Sequence, residues 1–190
     1  MIDMQTDFFN DPELERCRVD LVSACNRLTD AAIERGLPVF EVRTIHAADR
    51  STWALNMLDD GAGMTIAGTA GAEPVEGLRH SGTTEGIELI TKTRDNAFYR
   101  TPLEDRLRAS GVTAFLLGGV STESCIAATA TEGYARDFRV GIVLDATASV
   151  RWELHDHAIS SLHEQYRQPA FYAQEAIRTM VTGRSAVGAP

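Results

Sequence analysis

Three side chains able to do chemistry together stand far apart in the chain: Asp3, Lys92 and Cys125. Each follows a stretch that reads as a strand. Cys125 lies in Gly118-Gly119-Val120-Ser121-Thr122-Glu123-Ser124-Cys125-Ile126, after the apolar run 112–117 and before 127–135, which reads as helix. A buried strand that breaks at a Gly pair and re-enters a helix is half of a βαβ unit. Cys125 then falls in the first turn of the helix, where unpaired N–H groups and the positive dipole end favour a thiolate. Lys92 closes the alternating strand 87–92, and Asp3 follows Met1-Ile2. The carboxyl ends of parallel strands share one edge of a sheet, so the three positions converge. Cys125 is then a nucleophile. Asp3 takes the thiol proton and later gives it to a leaving amine. Lys92 keeps Asp3 ionised and lends positive potential to the sulfur. Taken singly, each has a plainer reading as a packed thiol, a turn-capping carboxylate or a solvated ammonium. The combination points to catalysis.

The remaining elements must position that set. From Glu13 the apolar residues Leu14, Cys17, Leu21, Cys25 and Leu28 recur at helical spacing until Gly36, so Cys17 and Cys25 read as core. A second strand spans 37–42, with Arg43, Thr44 and His46 at its carboxyl end. Residues 47–86 are Gly-rich and irregular, and read as a long functional loop with one short helix. Gly61-Ala62-Gly63 lacks the third Gly and the preceding strand of a dinucleotide fingerprint. Thr101-Pro102-Leu103-Glu104 reads as a capping box with Pro at the first helical position, and Gly111 closes that helix. Then follow strand 139–145, helix 152–166, a short strand or turn near Phe171, and a last apolar stretch through Ala176, Ile177 and Met180. Strands alternating with helices imply a parallel sheet covered on both faces, here in one domain, 1–190.

The formal net charge is −9 with no basic block, which argues against nucleic acid and anionic membrane as partners and leaves a small-molecule substrate. A hydrophobic content of 44% supports one core without staples. Three cysteines without CxxC or zinc-finger spacing suit a reducing, cytoplasmic setting. No signal peptide and no membrane-length apolar run is legible. Asp3 comes after only two residues, so its strand is clipped or the natural start lies upstream.

These residues resemble the isochorismatase-like cysteine hydrolases. The resemblance rests on Asp3-Met4-Gln5-Thr6-Asp7-Phe8, on Lys92-Thr93-Arg94-Asp95-Asn96-Ala97-Phe98-Tyr99, and on Gly119-Val120-Ser121-Thr122-Glu123-Ser124-Cys125. Gly68-Thr69-Ala70-Gly71-Ala72-Glu73 and Leu144-Asp145-Ala146-Thr147-Ala148-Ser149 also match, and the likeness runs from Ile2 to about Leu162. It implies a Rossmann-like three-layer α/β/α sandwich with a mostly parallel six-stranded sheet, a Cys125–Asp3–Lys92 triad, and a homodimer or homotetramer. It also implies a non-proline cis peptide at Val120–Ser121, which would aim the Ser121 N–H, with that of Cys125, at an oxyanion.

Departures refine the expectation. Nicotinamidases of the family bind a metal through an Asp and two His near the second strand, where this chain has Thr44-Ile45-His46-Ala47-Ala48. A lone His46 is not a site, so no metal and no cofactor is expected. His155 and His157 lie two apart on a helix and do not share a face. True isochorismatases cleave a vinyl ether without a Cys nucleophile, so Cys125 favours hydrolysis of an amide, carbamoyl or ureido compound. Ether or ester hydrolysis on the same scaffold, or a catalytically silent binding member, are the alternatives. Phe8, Trp53, Phe98 and Tyr99 are candidate pocket walls. Arg43 and Arg94 are candidate grips for a substrate carboxylate.

Overall fold

The computed structural model describes residues 1–82 and 84–181. The chain runs α1 (Pro12–Glu34), β1 (Val39–Thr44), α2 (Leu55–Asp60), β2 (Ile87–Lys92), α3 (Leu103–Ala109) and β3 (Ala114–Val120). It continues through α4 (Ala127–Ala135), β4 (Arg139–Ala148), α5 (Trp152–Tyr166), β5 (Ala170–Phe171) and α6 (Ala173–Val181). Local chemistry sets several boundaries. Asp11 accepts a hydrogen bond from the Glu13 N–H at 2.8 Å, and Pro12 fills the first position of α1, where no N–H is needed. The expected capping box of α3 forms only in part. The Thr101 hydroxyl accepts from the Leu103 N–H, while Glu104 turns outward to Arg108 and Arg136.

All strand pairings are parallel, in one sheet of two strands (β1, β2) and one of three (β3, β4, β5). The terminal segment joins them. Ile2 bridges Val42 of β1 on one side and Gly119 of β3 on the other. Four backbone hydrogen bonds hold it there: Ile2 N–H to Gly118 O (2.8 Å), Val120 N–H to Ile2 O (3.0 Å), Asp3 N–H to Val42 O (2.8 Å) and Val42 N–H to Met1 O (2.8 Å). The expected six-stranded sheet is therefore five strands and a bridge, because only one residue of the terminal segment has neighbours on both sides. Gly119 makes the approach possible: at φ +125°, any Cβ there would overlap the Ile2 carbonyl oxygen. With this segment counted first, the spatial order is 3-2-1-4-5-6, the doubly wound order, whose reversal point lies beside Asp3.

Successive strand residues feed two cores. Leu117 and Ile142 join a cluster with Leu103 and Leu107 of α3, Ala130 of α4 and Leu162 of α5. Leu116 and Val143 join another with Leu14, Leu21 and Cys25 of α1 and Ala173 and Ala176 of α6. Period-two alternation sends those side chains to opposite faces, so helices cover both sides. Cys25 is fully buried and Cys17 half-buried against the second cluster. The loop 47–86 holds α2, a 3₁₀ turn at Ala70–Ala72, and single bridges from His46 to Ile66 and from Pro74 to Gln5.

At the amino end of the sheet, β1 and β3 diverge around a cavity of about 580 Å³. It reaches from Leu28 and Ala32 of α1 to Leu103 and Leu107 of α3, and neither Asp3, Lys92 nor Cys125 lines it. The Met1 ammonium is at its edge, donating to Phe40 O at 2.8 Å. Among the described residues no helix is long and apolar enough to cross a membrane.

Candidate active site

Asp3, Lys92 and Cys125 meet at the carboxyl ends of the terminal segment, β2 and β3, and all three are buried. Asp3 turns off the bridge at Ile2 with φ +54°, a left-handed conformation that Asp tolerates better than most residues. Its Oδ1 accepts from the backbone N–H and the hydroxyl of Thr44, each at 2.9 Å. Its Oδ2 lies 2.7 Å from Lys92 Nζ. The Lys92 ammonium has three hydrogens and three partners: Asp3 Oδ2, Thr44 Oγ1 at 2.7 Å and Cys125 Sγ at 3.4 Å. Because an ammonium only donates and a carboxylate only accepts, Thr44 Oγ1 takes the Lys92 hydrogen and gives its own to Asp3. Gln5 fixes Thr44 in turn. Its Oε1 accepts from the Thr44 N–H and its Nε2 donates to the Thr44 and Ala72 carbonyls, all at 2.9 Å.

Cys125 sits in a π-helical turn, Thr122–Ile126, that leads into α4. The Val120–Ser121 peptide before it is cis. Ser121 O accepts from the N–H groups of Ser124 and Ile126, both at 3.2 Å, while the Ser121 N–H has no partner among the described residues. The Thr122 hydroxyl is bonded to His155 Nδ1 at 2.8 Å, which anchors the turn on α5 and gives that buried His a structural role.

The electrostatics at the sulfur act against the dipole argument made from the helix start. Burial pushes the Cys125 thiol well above its ordinary value, the Asp3 carboxylate adds to this, and Lys92 only partly opposes it. For Lys92, burial acts downward, but Asp3 and the thiol outweigh it and the ammonium is held above its usual range.

The candidate substrate residues separate. Arg43 is not at the site. It shares a face of β1 with Glu41 and makes a two-pronged ion pair with it, 2.8 and 2.9 Å, on the side of the strand opposite Thr44. Arg94 is spent on backbone: its guanidinium donates to the carbonyls of Thr52 (2.7 Å), Thr93 (2.5 Å) and Trp53 (3.3 Å). Phe98 is core rather than pocket wall, with its ring 6.2 and 6.1 Å from those of Phe115 and Phe138. Phe8 packs, half-buried, on the α1-side core. Trp53 is buried, donating to Ala47 O at 3.1 Å under the Arg50 guanidinium. Tyr99 is 44% exposed, beneath Arg100. Two residues were missed: Thr44, which joins the carboxylate to the ammonium, and Asp95, whose Oδ1 is 3.7 Å from Cys125 Sγ. The Gln5 side chain belongs with them.

The donor set does not suit zinc. His46 bonds the Thr52 carbonyl through Nδ1 at 3.0 Å, which leaves Nε2 for a ligand, but no group of three His, Cys, Asp or Glu among the described residues could hold a metal ion.

The Isochorismatase domain model matches residues 1–171. An Arabidopsis thaliana protein described as a probable inactive nicotinamidase is 34% identical over 162 residues, 82% of each chain. A ureidoacrylate amidohydrolase of Methylobacterium radiotolerans is 41% identical over 79 residues, 40% of this chain and 30% of that one. The crystal structure of an isochorismatase family protein from Desulfovibrio vulgaris superposes with a TM-score of 0.83 at 28% identity, covering 95% of this chain and 96% of the other. With the sheet order, the buried Asp–Lys pair and the thiol turn all in place, the chain belongs to the isochorismatase family.

Proposed function

We propose that the protein is a cysteine hydrolase that cleaves a small carbamoyl, ureido or amide C–N bond through a thioester. The observation that carries this reading is the buried chain of contacts from Thr44 through Asp3 and Lys92 to the Cys125 sulfur. In the first step Sγ attacks the carbonyl carbon as its proton passes to Asp3, whose Oδ2 has a lone pair to receive it. The Ser121 and Cys125 N–H groups face the developing oxyanion. Asp3 then gives the proton to the departing nitrogen, and the C–N bond breaks to leave an acyl group on sulfur. Water, losing a proton to Asp3, attacks the thioester. The acid forms, and the proton returns to Sγ. Lys92 stays an ammonium throughout, holding Asp3 in place and limiting charge build-up at the sulfur. No step is assigned to a metal, since the residues do not fit one.

One relative is described as probably inactive, so turnover is the property to measure. A screen of small amides, ureas and carbamoyl compounds for released ammonia or amine, followed by mass spectrometry of the quenched enzyme, tests the reading. The expected result is turnover with a transient acyl mass on the Cys125 peptide. Turnover undiminished in Cys125→Ala would remove the covalent mechanism.

A further inference from the structure

Two carboxylates attend the sulfur, and the mechanism uses only Asp3. Asp95, in the loop after β2, puts its Oδ1 3.7 Å from Cys125 Sγ. Unlike Asp3, it is exposed, and no salt bridge engages it among the described residues. Arg43 is paired with Glu41 on its own face of β1, and Arg94 keeps its charge but is held on three backbone carbonyls, making no ion pair with Asp95. Asp3 and Lys92 balance each other. Asp95 is the exposed carboxylate within reach of the sulfur, and it also acts on the thiol, which burial, then Asp3, then Asp95 raise.

We propose that Asp95 is a specificity-determining residue of this site, favouring substrates with an N–H donor beside the scissile carbonyl and disfavouring those with an anion there. The inference rests on the hydrolase reading above. The carbonyl carbon must come within about 3–3.5 Å of the sulfur to react. A substituent one bond further on is then within hydrogen-bonding reach of Asp95. A carbamoyl or ureido carbonyl carries nitrogen on both sides. One nitrogen leaves with the proton from Asp3, and the other keeps an N–H for Asp95 to accept. A simple acyl amide presents carbon at that place, and a neighbouring carboxylate meets like charge. The class selected is therefore carbamoyl and ureido compounds over acyl amides, and neutral or cationic neighbours over anionic ones. This reverses the carboxylate preference expected from Arg43 and Arg94.

Thiol alkylation reads the charge without needing a substrate. Second-order rates of Cys125 with neutral iodoacetamide and anionic iodoacetate are measured by peptide mass spectrometry, each normalised to free cysteine, at low salt and fixed pH. A unit charge a few ångströms away predicts a neutral-to-anionic preference of roughly tenfold or more in wild type, falling at least about threefold in Asp95→Asn. Asp20→Asn, an exposed change on α1, alters net charge equally and leaves the preference unchanged. In parallel, the ratio of kcat/KM for a carbamoyl compound to that for its acyl amide analogue falls in Asp95→Ala. A wild type with no preference between the two reagents, or the same preference in Asp95→Asn, overturns the proposal. No turnover of any carbamoyl or amide compound, with the alkylation preference still shifted by Asp95→Asn, brings down the hydrolase reading and supports the charge assignment.

Discussion

Replacing Thr44 by Val removes one hydroxyl and keeps the shape of the side chain. That hydroxyl donates to Asp3 Oδ1 at 2.9 Å and accepts from Lys92 Nζ at 2.7 Å. A hydrogen bond to a charged group is worth about 1.5–3 kcal/mol, so the two together amount to about 3–6 kcal/mol. The lower end applies, because each partner keeps other bonds, although one of the three Lys92 hydrogens loses its acceptor. Asp3 Oδ1 keeps the Thr44 N–H, and Lys92 keeps Asp3 and the sulfur. A loss of about 3 kcal/mol leaves a domain of ordinary stability folded. With the ammonium no longer tied to β1 and the carboxylate held there by one bond fewer, kcat should fall about ten- to hundredfold, the equivalent of about 1.4–2.8 kcal/mol. Thr44→Ser keeps both bonds and loses a methyl, so it should cost about 1 kcal/mol of stability and little activity. Urea unfolding gives the first quantity and steady-state kinetics on the best carbamoyl or amide substrate the second. If Thr44→Ser is as slow as Thr44→Val, the methyl and not the hydroxyl matters and the reasoning fails.

Cys125→Ala should abolish turnover with the fold intact, whereas Cys17→Ala and Cys25→Ala should keep activity, Cys25→Ala being the less stable because that thiol is fully buried. Circular dichroism and ammonia release separate the three. Activity should survive exhaustive chelation, since the residues near His46 do not form a metal site; loss with EDTA that zinc restores would contradict this. Burial lowers the pKa of the Met1 ammonium from its ordinary 8.0. The unfolded chain then binds more protons than the folded one just below pH 8, so this group's contribution weakens stability as pH falls through that window. Urea unfolding on either side of that window, compared with an N-acetylated chain in which this dependence should vanish, checks it.

The parts of the site that were legible in the sequence depend on local pattern. A strand, a Gly pair and a helix start are consecutive residues, so Cys125 could be placed at a sheet edge before any contact was known. Lys92 and Asp3 followed from the same rule. What was not legible depends on which face a residue takes and what lies opposite. Arg43 was misread because strand parity was not applied: Glu41 and Arg43 share one face of β1, and Thr44 takes the other. That parity is present in the sequence and could have directed attention to Thr44. Phe98 and Asp95 are harder. Both lie in an irregular loop, and only the packing of Phe98 on Phe115 and Phe138 sends one inward and leaves the other at the thiol. The helix-start argument counts nearby dipoles and omits burial, which acts on the thiol in the opposite direction.

A buried Asp–Lys pair is a poor stabilising device. Taking both ions out of water costs several kcal/mol each, and an apolar pair of similar volume is often as stable or more so. The fold nonetheless surrounds Asp3 and Lys92 with Thr44 and Gln5, committing the polar atoms of both side chains to holding two charges beside a thiol. The three groups come from elements that do not adjoin in sequence, and among the described residues the backbone that joins the two halves of the sheet is the bridge preceding Asp3. The pair stands in one buried cluster with a thiol that burial and Asp3 push above its ordinary range. Attack with concerted proton transfer, as proposed above, does not call for a free thiolate. On that proposed mechanism the arrangement serves the proton that moves from Cys125 to Asp3.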